Sequence, residues 1–347
     1  MANTDSARTH LGKLLPRAGS FLLVGGLFLG LSGELLPLVA AEKKPPPDPE
    51  LLKWTEEITH LAPGAYRALR PVRIDFGLSW NNALNAGELS VEVNQAKESA
   101  ANLWIGHAEG RSNGLARALW PYDVEADSHI DQATLRPRLF ELSETERDKT
   151  YRYRLMFEPS EIQTQTVTLA AKVPEGETSP DPITKERTYR YQFVQDVLST
   201  ALYLRSHELA TGDSIRLIVS PFNRPYYAEF SSIGREERKV KGETYQTIRL
   251  DVDIRKINFD RTLQHYDKMK KATIWLSDDE FRMPVEVHAD IFVGFVSARV
   301  TRREWLDEKK SSVKTTPTVT PDKEEKKAKP APGKAGVLQR LLGKGGK

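Results

Sequence analysis

From Val72 to Trp80 the chain keeps one beat: Val72, Ile74, Phe76, Leu78 and Trp80 alternate with Arg73, Asp75, Gly77 and Ser79. Side chains two residues apart on a strand point to the same side, so this is a β-strand with one buried face and one wet face. After the turn stretch "NNALNAG", Leu89, Val91 and Val93 in "ELSVEV" resume the beat, and the pair reads as an antiparallel hairpin. The stretches "TYRYRLMFE" (150–158), "IQTQTVTL" (162–169), "SIRLIVS" (214–220) and "YYAEFSSI" (226–233) also read as strands. In "YQTIRLDVDI" (245–254), Ile248, Leu250, Val252 and Ile254 share a face, as do Val285, Val287, Ala289 and Ile291 in "VEVHADI" (285–291). Strands do not alternate with helices, and no Gly-rich phosphate loop follows a strand, which argues against α/β nucleotide folds.

One stretch breaks the pattern. In "FVQDVLSTALYLRSH" (193–207), Val194, Val197, Leu198, Ala201 and Leu202 recur at helical spacing, predicting a helix with one buried face. Leu51, Leu52, Trp54, Ile58 and Leu61 predict a short amphipathic helix within 51–62, and residues 170–188 read as a long exposed loop. The fold class expected is mainly β: an antiparallel, barrel-like or half-barrel curved sheet with one or two short helices, occupying residues 70–303 as a single domain.

The two ends differ from this body. Arg8, Lys13 and Arg17 precede the apolar run Phe21–Leu31, and Val39, Ala40 and Ala41 place small residues before Glu42. That is the pattern of an export signal over residues 1–41, cleaved before Glu42. The alternative, a retained anchor in the inner membrane, has Glu34 and Pro37 against it. Either way the body is expected outside the cytoplasm, most simply in the periplasm. Residues 42–69 read as a Pro-rich spacer with the short helix, and 304–347 as a disordered basic tail rich in Lys and Pro. Within residues 308–347 there are eleven Lys/Arg and four Asp/Glu. Removing this tail and the leader from the totals of 51 basic and 48 acidic residues leaves 37 against 42. The body is therefore mildly acidic, which argues against a nucleic-acid partner. The chain has no cysteine, so thiolate metal sites, cysteine nucleophiles and disulfides are excluded.

Chemical candidates are few. Asp278 and Asp279 are adjacent, so on a strand they would face opposite ways. Within "SDDEF" they read better as a hairpin turn, since Asp accepts bonds from nearby backbone N–H groups. His129/Asp131 and His288/Asp290 could bind a metal or act as base and orienting group if they converged. The alternating pattern reads Glu286, His288 and Asp290 more simply as the wet side of a strand. Neither H-E-x-x-H nor G-x-S-x-G occurs, and no catalytic set, metal or cofactor is assigned. Asp196 and Arg205 on the helix, with Asp278, are candidates for an ion pair tying helix to sheet. Phe76, Trp80, Trp104 and Trp275 are candidates for lining a ligand-binding interior.

The ordered set "RIDFGLSWNNALNAGELSVEV", "DVLSTALYLRS" with "TGDSIRL", and "WLSDDEFRMPVEV" with "GFVSARV" resembles a bacterial exported domain-of-unknown-function family, numbered 3108, over roughly residues 70–302. Asp196, Leu198, Ser199, Tyr203 and Arg205 carry the likeness in the helix. Trp275 to Asp279, with Arg282, Pro284 and Val285, carry it in the later stretch. The resemblance implies a leader-bearing, mostly antiparallel, barrel-like protein of the cell envelope, and implies no reaction. Three functions follow as expectations. The first is a non-enzymatic module binding an apolar or lipid-like small molecule. The second is an envelope assembly scaffold whose basic tail meets anionic polymers or lipid. The third is a hydrolase using the His-x-Asp pairs.

Overall fold

The beat that begins at Val72 builds strand β1 (Val72–Trp80), and Val72, Ile74, Phe76 and Leu78 are all buried on its inner face. It hairpins into β2 (Leu84–Gln95) through Asn81 and Asn82, both at positive φ, a conformation that asparagine tolerates better than most residues. The computed structural model describes residues 48–96, 102–170, 178–266, 269–291 and 294–307. The stretch expected as an export signal (1–41), the start of the expected spacer and the expected tail from 308 onward lie outside the described residues.

The chain then meanders through β3 (Leu103–Ser112), β4 (Tyr122–Asp131), β5 (Pro137–Glu146), β6 (Lys149–Phe157), β7 (Ile162–Ala170) and β8 (Ile183–Tyr189). Its second half is β9 (Val194–Gln195), β10 (Ser214–Val219), β11 (Tyr226–Val240), β12 (Glu243–Ile257), β13 (Leu263–His265), β14 (Met269–Ser277), β15 (Pro284–Ile291) and β16 (Phe295–Trp305). All belong to one curved, unclosed sheet in the order β8-β7-β6-β5-β4-β3-β2-β1-β16-β15-β14-β12-β11-β10-β9, with β13 paired to β12. Every pairing is antiparallel except β9 with β10. The first and last long strands therefore meet in the middle of the sheet, with Val72 opposite Trp305 and Trp80 opposite Val296.

Helix α1 (Gly114–Leu119) is a short link between β3 and β4. Helix α2 (Val197–Ser206) lies against the inner face. Asp196 caps it, accepting from Leu198 N at 2.7 Å and Ser199 N at 2.8 Å, while Ser199 Oγ accepts from Asp196 N, a reciprocal cap that satisfies otherwise unpaired N–H groups. Contrary to the expectation of one buried face, nine of its ten residues are buried.

The cause is the N-terminal segment, which the sequence led us to expect as a helix over 51–62. Only Pro49–Thr55 turns, as a 3-10 helix, with Trp54 buried and its Nε1 donating to Arg261 O at 2.9 Å. The chain then runs as a strap. Thr59 N donates to Arg216 O on β10, Tyr203 Oη donates to Leu61 O, and Gly64 N donates to Ser206 Oγ. A Cβ at Gly64 would lie 2.2 Å from Ser206 O, so only glycine lets the strap run this close to α2. Enclosed between strap and sheet, α2 can be apolar on most sides.

The exposed loop expected over 170–188 is also corrected. Its latter part is β8, a strand whose residues Ile183–Thr188 are all exposed. A lone edge strand needs no buried face, so "TKERT" carries no alternation, and its charges suit a sheet edge that must not pair further.

Candidate functional site

Between α2 and the sheet remains a cavity of about 110 Å³. Val197, Leu198, Ala201 and Leu204 line it from the helix, and Phe76, Leu250, Ile274 and Val287 are among the strand residues facing them. Its wall is almost wholly apolar, because each strand contributes the residues of its inner beat. Of the four aromatic candidates, only Phe76 reaches it. Trp104 is buried on the same face without lining the cavity, and Trp80 is half-buried at the end of β1. Trp275 lies on the other face of the sheet, beside the cavity-lining Ile274 and Leu276 and pointing away from them.

Asp196, Arg205 and Asp278 are not brought together. Asp196 sits at the N-terminus of α2, wholly buried, where Ser128 Oγ on β4 donates to it at 2.5 Å; burial pushes its carboxyl up to about 6. Arg205 is buried at the other end. Its Nε donates to Phe281 O at 3.0 Å and a terminal N–H donates to Met283 Sδ, and burial lowers its pKa to about 10. Asp278 lies 3.5 Å from Arg235 instead. The cation that closes this end of α2 is Arg282, which donates to the carbonyls of His207 and Glu208 and stacks on Tyr66 at 3.6 Å. Cations at a helix C-terminus offset its partial negative charge.

The stretch Ser277–Met283 forms the turn between β14 and β15. Asp279 Oδ1 accepts from Ser277 Oγ, Phe281 N and Arg282 N at 2.8–2.9 Å, which is turn chemistry. Asp279→Asn keeps this acceptor, so the unfolding free energy is expected to stay within about 1 kcal/mol of the parent. Urea unfolding measures it; a loss of several kcal/mol would show that the charge itself is needed.

On the outer face, Glu286 corrects the sequence reading. Expected on a wet surface with His288 and Asp290, it is 1 % exposed. Strands β11 and β12 run fifteen residues each, beyond the end of β14, to a turn at Lys241 and Gly242, both at positive φ. A bulge at Ser232–Gly234 bends β11, so the tip folds over the sheet. Arg238 from this tip lies 4.1 Å over the ring of Trp275 and donates to Glu286 Oε2, while Arg299 Nε donates to Oε1 at 3.0 Å. Trp275 Nε1 donates to Glu236. Trp275 and Glu286 thus belong to a covered, ion-paired cluster.

The His-x-Asp pairs stay apart. His288 Nε2 and Asp290 Oδ1 are 2.9 Å apart on β15, while Asp131 is committed to the turn at Ala133 and Thr134 and to Arg138. Strands β4 and β15 are five strand spacings apart, about 24 Å along the sheet, and both pairs lie on its outer face. A convex surface cannot bring them to one bond. The described set able to hold a metal is a different one. His107, Glu125 and Asp127 on β3 and β4 keep ligand atoms within 4.8 Å of one another, with His107 Nδ1 2.9 Å from Asp127. They are partly or fully exposed, and nothing else at that surface points to a cation. Sequence reasoning also passed over Glu144, which continues the inner beat of Phe140 and Leu142. It is buried, raised in pKa by that burial, and accepts from Tyr122 Oη and Tyr153 Oη at 2.8 Å each.

These features define a β-barrel-like module folded round a buried helix, with an apolar interior and no convergent catalytic set among the described residues. The chain belongs to the family described as "Protein of unknown function (DUF3108)", whose model matches residues 73–301. No curated protein matches it in sequence. Among solved structures it is similar to a β-barrel-like protein of domain of unknown function DUF1849 from Brucella abortus. The identity is 12 %, with 69 % of this chain and 99 % of that one covered, at a TM-score of 0.44. It is also similar to a protein from Bacteroides fragilis taken to be exported, with a YmcC-like fold (10 %, 70 % and 98 % covered, TM-score 0.26). A third is a protein from Parabacteroides distasonis taken to be a lipoprotein (5 %, 71 % and 100 % covered, TM-score 0.26).

Proposed function

We propose that the chain is an exported, non-enzymatic envelope module that receives an apolar or lipid-like small molecule between α2 and the sheet. The export reading rests on Arg8, Lys13, Arg17, the apolar run Phe21–Leu31 and the small residues Val39–Ala41. The binding reading rests on one observation, the apolar cavity of about 110 Å³ under α2. A dry cavity of about 150 Å³ holds benzene; this one is somewhat smaller, at about 110 Å³, and is sized for one small ring or a few methylenes at most as it stands. A longer acyl chain enters only by lifting α2 toward the strap. The second reading, a scaffold, is favoured by the excess of eleven basic over four acidic residues in 308–347, which suits anionic polymer or lipid.

The test is to fill the space. Ala201 lines the cavity from α2, and Ala201→Leu places three more carbons in it. The variant is expected to keep its unfolding free energy within about 1 kcal/mol. The parent is expected to gain thermal stability from benzene and from palmitate, by about 2.7 kcal/mol at a hundredfold excess over Kd, and the variant to gain none. If the parent responds to neither probe, or the folded variant responds as the parent does, the reading fails.

A further inference from the structure

Arg136 begins the approach to β5, just after a tightly bonded turn in which Asp131 accepts from Ala133 N and Thr134 N and binds Arg138. That turn engages the Asp131 carboxylate elsewhere. Arg136 is half-buried, and His60 beside it is exposed. Among the described residues Arg136 has no ion pair and no side-chain hydrogen bond, and the titratable groups it interacts with are the Tyr203 phenol and the His60 imidazole. Its single close partner is the ring of Phe193, 3.7 Å from the guanidinium carbon. His60, on the strap, meets the same ring at 4.1 Å. Its imidazole also has no hydrogen bond among the described residues, and burial and Arg136 together depress its pKa.

Phe193 holds this arrangement in an unusual way. Its φ is +58°, the left-handed region that bulky side chains avoid, and such strain persists where the surroundings fix it. Stacking a guanidinium on an aromatic face uses the face of the cation and leaves its edge N–H groups free. Five donors on Arg136 and one or two on His60 therefore stand near one ring with no acceptor, on a body that is otherwise mildly acidic. A half-buried cation with unused donors and no carboxylate is matched by an added oxyanion, which a guanidinium edge grips through two parallel bonds.

We propose that Arg136, His60 and the ring of Phe193 form an oxyanion-binding site between the N-terminal strap and the β4–β5 turn. The site takes a phosphate or sulfate group, free or as the headgroup of an amphipathic molecule, and it is separate from the cavity under α2. The titratable group acting on His60 is Arg136 from the turn; Tyr203 from α2 faces Arg136, and its hydroxyl is engaged by Leu61 O. Among the described residues no carboxylate acts on His60, so an entering anion raises its affinity for a proton. Binding is accordingly tighter at pH 5.5 than at pH 7.5.

The experiment is a titration of the full chain with sulfate, whose charge is constant over this pH range, following the side-chain nitrogen signals of Arg136 and His60 by NMR. Saturable shifts at both are expected, with a Kd on the order of 1 mM or tighter. Arg136→Gln is expected to weaken binding at least about tenfold, the loss of a charge-assisted pair. His60→Gln is expected to flatten the pH dependence. If Arg136→Gln does not fold, Arg136→Lys keeps the charge without the fork, and it is expected to weaken binding at least about threefold. Absence of saturable shifts at the two residues overturns the proposal, as does unchanged affinity in the folded Arg136 variant. Parallel titrations with inorganic phosphate and with dihexanoyl phosphatidylglycerol separate the sources. Tighter binding of the lipid assigns a headgroup, and equal binding assigns the free anion.

Discussion

Glu286→Ala is expected to lower the unfolding free energy by about 3 kcal/mol, the scale of a broken buried ion pair. The carboxylate is 1 % exposed and accepts from both Arg238 and Arg299. Removing it leaves two guanidinium groups facing each other beneath the folded hairpin tip, one of them against Trp275. The loss is moderated because each arginine is about a third exposed and can turn toward water. In a domain of this size the melting temperature is expected to fall by about 6–12 °C. Glu286→Gln preserves the shape and is expected to lose about half as much. A loss under about 1 kcal/mol in Glu286→Ala would mean that the tip does not cover this face in solution.

Asp196→Asn is expected to act in the opposite direction and to depend on pH. In the folded protein the carboxyl is pushed up from 3.8 to about 6 by burial, so the folded state holds this proton more tightly than the unfolded chain does. The associated stability is complete below about pH 4 and is lost as the pH rises through 6. At about 1.4 kcal/mol per pKa unit, the wild type forfeits about 3 kcal/mol between pH 4 and pH 7. Asparagine keeps the acceptor for Leu198 N and Ser199 N, and its amide donates where Ser128 donated before. The variant is therefore expected to equal the wild type near pH 4 and to exceed it at pH 7, read as the difference of two urea titrations. Asp196→Ala, which removes the cap, is expected to lie about 1–2 kcal/mol below Asp196→Asn at both pH values. A pH-independent difference between Asn and Asp would place the ionised carboxylate in water rather than in the core.

The inner face of the sheet was legible in the sequence because burial there follows period two, and the residues named from that beat in β1, β12 and β15 are buried, save Trp80, which is half-buried at the end of β1. Helix α2 was legible as a helix but not as an enclosed one, since its cover comes from a strap joined through a few hydrogen bonds at Thr59, Leu61 and Gly64. Such contacts leave no periodic trace. Glu286 failed for a related reason. Alternation tells which face a residue occupies, while a second layer over that face depends on how far another hairpin runs and where it bends. The apolar cavity could be foreseen only as a face, with Phe76 on it, because Trp275 lies one residue out of phase with Ile274 and Leu276. Arg136 and His60 carried no sequence signal at all. Their significance is an absence of acceptors in three dimensions.

The meeting of β1 with β16 at the centre of the sheet bears on how the chain is made. Most other long strands pair with a sequence neighbour and can form as the chain emerges, but Val72 waits for Trp305, more than 230 residues later. Until then the nascent chain is two separate meanders, each with an unpaired edge that would be interior in the finished sheet. Closing so long a loop is slow, and an open edge is a template for pairing with the wrong chain. The last step of folding is thus a zipper at the middle of the sheet. A chain that stops short of Phe295 is not a slightly smaller version of this protein but two half-sheets, each with an adhesive border.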